Sequence, residues 1–394
     1  MKFRLIHTVI IIIIGMGILK AQSNGEITIG TKHFIKSEIL SEEREYWVSL
    51  PNSYDVEQSG YKKYPILILL DGNSHFHYIS GMVNSMSSGN TDKREIPEMI
   101  IVGILNVNRE RDFTPDKIIT KRENQTGGGD NFLAFLEKEV IPRVDSTYRT
   151  EPYRMLVGHS LAGLITTHSY MKENSPFNSF ISIDPSFGSW DDQVIDKKTT
   201  NLNEVIFKRP LFLATANWGK RNLRNRDRHI QFFETLHSKS NRTFNAKHQY
   251  YSDKNHSSVP ILAIYDGLSY IFEGYNQSYR NVTEINKLIQ NYEELSEKHA
   301  HDFLPPEELV NRIGYRLLRS SEIKDNELAL EFFKLNTENY PKSYNVFDSL
   351  AEAHYKLGNE KEAIESYAES IVLNPENENA SKMIKQIKET IDNK

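Results

Sequence analysis

The sequence lacks cysteine altogether over its 394 residues. Disulfide bonds, thiolate metal ligands, a cysteine nucleophile and a lipid-modified N-terminal cysteine are therefore excluded. It also lacks a basic excess, since the formal net charge is −5. Nucleic acid is not expected as a partner, because phosphate binding needs a basic face. After residue 20 no apolar run is long enough to span a bilayer, so we expect a globular mature chain without a membrane span.

The N-terminus is the one strongly apolar segment. Lys2 and Arg4 precede an apolar run over residues 5–19, and Ala21 follows. A basic start, a short apolar stretch and a small residue predict a signal peptide over residues 1–21 and export to the periplasm or the extracellular space. An uncleaved membrane anchor is the alternative, but a span needs roughly 20 apolar residues.

Residues 22–280 alternate between short apolar runs and helical patterns. The runs at 64–70 and 99–105 are continuously apolar, as in buried parallel strands. Helical patterns occupy residues 130–140, 161–171 and 259–272. The half-buried pattern at 26–30 predicts an earlier strand. Alternating strands and helices predict an α/β domain with a mostly parallel sheet and helices on both faces.

From residue 305 to 394 the pattern is helical and repeats. Alanine, an aromatic residue and proline occur at Ala329, Phe333 and Pro341, and again 34 residues later. This period and pattern predict tetratricopeptide repeats, preceded by a linker helix over 281–304. Such a short array is expected to dock on the α/β domain or on a protein partner, and a generic helical hairpin is the alternative.

The chemical centre is predicted at G-H-S-L-A-G, residues 158–163. The motif follows an apolar run and begins a helical pattern, which is the context of a nucleophile elbow. The small residues around Ser160 suit the sharp turn, and the helix N-terminus favours developing negative charge. Ser160 is therefore the predicted nucleophile.

A serine hydroxyl needs an adjacent base, and His256 is the best placed. It lies in a predicted loop after the last strand, which is where enzymes with a nucleophile elbow carry their base. The other histidines after Ser160 considered for this role fall within predicted helices or the last strand, or at a helix start: His168, His229, His237 and His248.

The third residue should be a carboxylate that orients the imidazole. It is expected in the loop after the strand at 211–214, where Asp227 is the single acid. Asp253, three residues before His256, competes with it. A Ser-His pair steered by a backbone carbonyl or by another side chain is the third possibility.

The oxyanion formed during acyl transfer needs backbone donors. We expect the amide of Leu161 and an amide at Gly72 or Asn73, which follow the early strand at 64–70. The stretch R-E-R-D-F-T-P at 109–115 follows the strand at 99–105 on the same rim, and an Arg-Asp pair in it is expected to be structural rather than to meet an anionic substrate. No histidine and carboxylate set has metal-ligand spacing, so no catalytic metal is predicted.

Six segments stand out together: Y-P-I-L-I-L-L-D-G at 64–72, R-x-R-D-F-T-P at 109–115, G-G-G-D-N-F-L-A-F-L at 127–136, Y-R-T at 148–150, G-H-S-L-A-G-L at 158–164 and H-S-S-V-P at 256–260. In combination they resemble a known esterase family. The family includes enterobactin-type siderophore esterases and is related to S-formylglutathione hydrolase and feruloyl esterases. The resemblance implies an α/β-hydrolase fold and cofactor-free ester hydrolysis by Ser160 and His256. Members usually carry Gly-Gly where this chain has Ala162 and Gly163.

The sequence thus predicts a serine carboxylic-ester hydrolase acting on a small-molecule ester, such as a siderophore or an acylated sugar. A non-catalytic binding or scaffold protein that uses the repeats is one alternative. Acyl transfer to an acceptor other than water is the other.

Overall fold

The computed structural model describes residues 27–56, 62–88, 94–117, 126–190, 192–219, 223–240 and 244–393. The predicted signal peptide over residues 1–21 lies outside these residues.

One twisted sheet organises the N-terminal two thirds of the described chain. Its strands follow the order β1-β2-β4-β3-β5-β6-β7-β8. The pairs β1–β2 and β2–β4 are antiparallel, and every pair from β4 to β8 is parallel. The strands are β1 Thr31–Ser37, β2 Glu42–Ser49, β3 Tyr64–Leu69, β4 Ile100–Ile104, β5 Thr150–His159, β6 Ser179–Ile183, β7 Leu211–Ala216 and β8 Ala246–Tyr251.

Helices cover both faces of this sheet, which explains the continuously apolar strands. Ile66 and Ile68 of β3 belong to the core on one face, and Leu67 and Leu69 to the core on the other. The helices are α1 Gly72–Ser87, α2 Arg109–Phe113, α3 Gly129–Phe135, α4 Ile141–Thr147, α5 Leu161–Tyr170, α6 Asp192–Thr199, α7 Glu204–Lys208, α8 Leu223–Lys239 and α9 Val259–Ile271. The predicted α/β class is therefore present, with helices packed on a mixed, mostly parallel sheet.

Two local predictions were wrong. Residues 27–30 have no regular structure, and the first strand begins at Thr31. The helix predicted over residues 130–140 continues to Thr147, through a π-helical turn at Leu136–Val140 and then α4. Pro142 lies in the first turn of α4, directly after the π-helical turn, and does not end the helix.

The C-terminal part of the described chain is helical. Residues 281–304, predicted as a linker helix, contain α10, and paired helices follow. They are α10 Ile285–His299, α11 Glu307–Leu318, α12 Ile323–Asn339, α13 Tyr344–Lys356, α14 Glu360–Leu373 and α15 Glu378–Asp392. The repeated small and aromatic residues, Ala329, Phe333, Ala363 and Tyr367, are all fully buried between these helices.

This helical region packs directly against the sheet domain. Leu288, Tyr292 and Ile313 share one apolar core with residues of β5 and α9. His299 of α10 bonds to both β5 and α9. Its Nδ1 lies 2.9 Å from the hydroxyl of Tyr153, and its Nε2 lies 2.9 Å from the carbonyl oxygen of Ile271. Among the helices described, none is both long and apolar enough to cross a membrane.

Candidate active site

Ser160 occupies a strained turn between β5 and α5. Its backbone has φ 63° and ψ −119°, a conformation that non-glycine residues rarely adopt. Its amide donates to the carbonyl of Ile183 at 2.9 Å, and its own carbonyl accepts from the amide of Ser186 at 3.0 Å. These two bonds tie the turn to the end of β6, so the neighbouring strand holds the serine in place.

Small residues around Ser160 are required by close backbone approaches. A Cβ at Gly158 would lie 2.2 Å from the carbonyl oxygen of Ala162, and one at Gly163 would lie 3.0 Å from that of Ile183. Ala162 itself is fully buried. The turn therefore accommodates alanine at position 162, whereas position 158 has no room for any side chain.

His256 lies in the loop between β8 and α9, as the sequence predicts. Its Nδ1 lies 2.5 Å from Oδ2 of Asp184, and its side chain is 25% exposed. One ring nitrogen is thus fixed by a buried carboxylate, and the partial exposure leaves the ring open to the solvent side of the site.

Asp184 directly follows β6 and is held by several donors. The amide of Ala216 donates to Oδ1 at 3.0 Å and the indole Nε1 of Trp218 donates to Oδ2 at 2.7 Å. Burial alone would raise the pKa of this carboxyl, but the hydrogen bonds and the nearby His229 outweigh burial, and the pKa lies below its usual value. Asp184 is therefore a carboxylate at neutral pH.

Neither carboxylate proposed from the sequence contacts the histidine. Asp227 lies on α8, where its side chain is 62% exposed and pairs with Arg226 at 3.3 Å. Asp253 is also exposed and pairs with its neighbour Lys254. The structure thus corrects the expected acid, because the carboxylate at the imidazole of His256 comes from the end of β6 and not from the segment after β7.

The sequence carries a signal for Asp184. The apolar run F-I-S-I at 180–183 ends in Asp184 and Pro185, so an acid stands at the carboxyl end of a buried parallel strand. Ligands and reacting groups gather at that edge in open α/β sheets. This position after β6, rather than one after β7, carries the acid that contacts His256.

Two aromatic rings contact the imidazole of His256. The ring centroids of His159 and Trp218 lie 4.3 and 4.5 Å from that of His256. Since His159 directly precedes Ser160, this contact brings the histidine loop to the serine turn. Burial, with the neighbouring His256, lowers the pKa of His159 to about 4, so His159 is neutral at neutral pH.

The hydroxyl of Ser160 pairs with another serine in this structure. Its Oγ lies 3.2 Å from Oγ of Ser186, and the two described side chains of Ser160 and His256 form no hydrogen bond with each other. Ligand-free active sites often show such loose geometry, which tightens when substrate binds.

The three expected oxyanion donors lie at helix N-termini. Leu161 is the first residue of α5, and Gly72 and Asn73 are the first two of α1. The first amides of a helix have no acceptor within it and are available to an anion. A Cβ at Gly72 would lie 2.8 Å from the backbone of Gly103, so this helix start is pressed against β4.

Comparison with protein families gives a match over most of the sheet domain. The profile described as "Putative esterase" matches residues 37–254, more than half of the chain. The chain belongs to this esterase family. The enzyme is therefore a serine ester hydrolase.

Curated relatives of this esterase include siderophore esterases. The ferri-bacillibactin esterase BesA of Bacillus subtilis is 27% identical over 221 residues, 50% of this chain and 76% of that protein. The apo-salmochelin esterase of Escherichia coli O6:H1 is 29% identical over 185 residues, 43% of this chain and 52% of that protein. The chain thus spans about half the length of the second relative.

Solved structures share the fold of this esterase. An IroE-like serine hydrolase from Shewanella oneidensis has a TM-score of 0.69 at 26% identity, covering 79% of this chain and 99% of that one. An uncharacterised protein from Capnocytophaga ochracea has a TM-score of 0.61 at 16% identity, covering 91% of this chain and 99% of that one. The second likeness shows the fold alone.

Proposed function

We propose that this esterase hydrolyses carboxylic esters through a triad of Ser160, His256 and Asp184. The observation that carries the proposal is the contact of 2.5 Å between Nδ1 of His256 and the buried carboxylate of Asp184. A carboxylate in this position fixes the tautomer in which Nε2 is the free base and stabilises the imidazolium that forms. The strained turn presents the hydroxyl of Ser160 as the nucleophile, and the neighbouring helix N-termini supply the amides that bind the oxyanion.

The reaction then follows from the position of each group. Ser160 Oγ leaves Ser186 and attacks the ester carbonyl while Nε2 of His256 takes its proton. The amides of Leu161 and of Gly72 or Asn73 stabilise the oxyanion. The tetrahedral intermediate expels the alcohol, which receives the proton from His256, and an acyl-enzyme remains. Water, deprotonated by His256, releases the acid and restores Ser160.

The proposed substrates are siderophore esters, with acylated sugars as the second class. The siderophore proposal is supported by relatives whose names refer to ferri-bacillibactin and apo-salmochelin. A panel of catecholate siderophore esters, feruloylated and acetylated sugars and short acyl thioesters tests it. Faster turnover of sugar esters than of siderophore esters would replace the first class by the second.

We also propose export and a tetratricopeptide identity for the C-terminal helices. Export rests on the basic and apolar pattern of residues 1–21. The repeat identity is supported by the burial of the alanine and aromatic residues that recur at 34-residue spacing. N-terminal sequencing of the protein recovered from the periplasm or medium tests the predicted cleavage after Ala21.

Turnover of p-nitrophenyl butyrate tests the catalytic proposal. Ser160→Ala should abolish turnover. Ser146→Ala is the matched control, because Ser146 is an exposed serine whose hydroxyl donates to the carbonyl of Arg143. Equal rates for wild type and Ser160→Ala would end the serine mechanism. Analysis of products in the presence of an alcohol separates hydrolysis from acyl transfer.

A further inference from the structure

Asp71 lies just before the proposed oxyanion donors Gly72 and Asn73 and has a left-handed backbone, φ 54° and ψ 41°. Asp71 is only 4% exposed to solvent. Such a conformation is unfavourable for a residue with a Cβ and persists only when its surroundings fix it. Something other than the local chain must therefore hold this loop.

The carboxylate of Asp71 is held by Arg109 and Asn106. Arg109 donates through Nε to Oδ1 at 2.7 Å and through Nη2 to Oδ2 at 2.9 Å. Asn106 donates to Oδ1 at 2.6 Å and to the side-chain oxygen of Asn73 at 3.2 Å. The bidentate pairing sets direction as well as distance, so it orients the loop that carries Gly72 and Asn73.

The same guanidinium reaches the nucleophile turn. Nη2 of Arg109 also donates to the carbonyl oxygen of His159 at 3.1 Å, the residue before Ser160. The guanidinium lies over the ring of Phe113, 5.5 Å from its centroid, which limits its movement. One side chain therefore bonds to the loop that bears one set of oxyanion donors and to the turn that bears the nucleophile.

We propose that Arg109 is a positioning residue that acts through Asp71 and sets the spacing between the Gly72–Asn73 amides and Ser160. This inference rests on the proposed function, since it assigns those amides to the oxyanion. Oxyanion donors are effective only at 2.7–3.1 Å from the developing charge, and a misplacement of about 1 Å can cost about 100-fold in rate. Lysine at 109 would keep the charge but could not bond to both carboxylate oxygens and to His159 in one plane.

The test compares Arg109→Lys, Asp71→Asn and the double variant on a neutral ester, p-nitrophenyl butyrate, and an anionic one, mono-p-nitrophenyl succinate. We expect kcat to fall about 10- to 100-fold on both esters, with KM changed less than about 3-fold. The double variant should be no slower than the slower single variant, because both changes break one unit. Inhibition by butylboronic acid, whose tetrahedral adduct mimics the oxyanion, should weaken in parallel with kcat.

Arg154→Lys is the matched control. Arg154 pairs with Asp145 at 2.6 Å, so the substitution also alters an arginine–carboxylate pair, and kcat should stay at the wild-type value. If Arg109→Lys fails to fold, as judged by its melting transition, Asn106→Ala replaces it, because it removes a neutral donor from the same carboxylate. The same fall in kcat at unchanged KM is expected.

Three results would overturn the proposal. A rise in KM for the succinate ester alone would make Arg109 a binding group for anionic substrates. Unchanged kcat in Asp71→Asn, or additive losses in the double variant, would show that Arg109 does not act through Asp71. Failure of the proposed function would look different: the wild-type protein would turn over neither ester, or Ser160→Ala would keep the wild-type rate.

Discussion

Replacing Asp184 by asparagine tests the assignment of the triad acid. The substitution keeps the shape of the side chain but replaces one acceptor oxygen by an NH₂ group. Oδ2 accepts from His256 and Trp218, and Oδ1 accepts from the amide of Ala216. Whichever way the amide is turned, its NH₂ meets a donor, so at least one bond is lost or the imidazole changes tautomer.

The expected loss is large in activity and moderate in stability. By comparison with carboxylate-to-amide changes in other serine hydrolases, kcat should fall by about 10⁴, which corresponds to about 5 kcal/mol of lost transition-state stabilisation. A buried donor left without its acceptor costs about 1–3 kcal/mol of folding free energy. The enzyme should therefore remain folded and become nearly inactive.

The assay is kcat for p-nitrophenyl butyrate, with the melting temperature measured on the same samples. Asp227→Asn and Asp253→Asn are the matched controls, because both carboxylates are exposed and pair with a neighbouring cation. Both should keep kcat within about 2-fold, since exposed ion pairs contribute little. An Asp227→Asn enzyme as slow as Asp184→Asn, or an Asp184→Asn enzyme as fast as wild type, would refute the assignment.

Three further outcomes are expected. Trp218→Phe keeps a ring beside His256 but removes an N–H donor to the triad carboxylate. Its kcat should fall about 10-fold, and an unchanged kcat would contradict the role given to that donor. Gly72→Ala places a methyl group 2.8 Å from the backbone of β4 and should lower the free energy of unfolding, measured with denaturant, by about 1–3 kcal/mol. Gly81→Ala in the same helix should not destabilise the protein, because a Cβ at Gly81 has no atom within 4 Å. Acid should lower the melting temperature between about pH 6.5 and pH 4, because buried histidines stay neutral in the fold while the unfolded chain takes up protons; a higher melting temperature at pH 4.5 than at pH 7.5 would contradict this. Burial, the largest cause in each, lowers the pKa to about 4, about 4 and about 3 in His159, His248 and His299.

The turn at Ser160 and the loop position of His256 could be predicted because their signals are local. A serine between small residues, placed after a buried strand and before a helix, predicts the turn at Ser160. Chain order then predicts a base after the last strand, and His256 is there. The acid could not be chosen in the same way, because several loops end at one edge of the sheet and only the tertiary structure shows that Asp184 reaches the imidazole.

Other parts of the site depend on contacts between distant segments. The bond network of Arg109 joins residues 71, 106 and 159, and no sequence pattern predicts that its guanidinium reaches the carbonyl of His159. The sequence pattern did predict an ion pair in this segment. The structure has such a pair between Arg111 and Asp112, at 2.7 Å. Asp112 also pairs with Arg44 at 2.6 Å, while Arg109 pairs with Asp71 at 2.7 Å. Helix α1 was not anticipated either, although its first residues carry two proposed oxyanion donors.

The central claim is that Ser160 is a nucleophile activated by His256. Its most direct test is mass spectrometry of the folded enzyme after reaction with a fluorophosphonate, which phosphonylates activated serines. We expect one adduct on the peptide that contains Ser160, and strongly slowed labelling in His256→Gln. Labelling at another residue, or equal labelling rates with and without His256, would contradict the account.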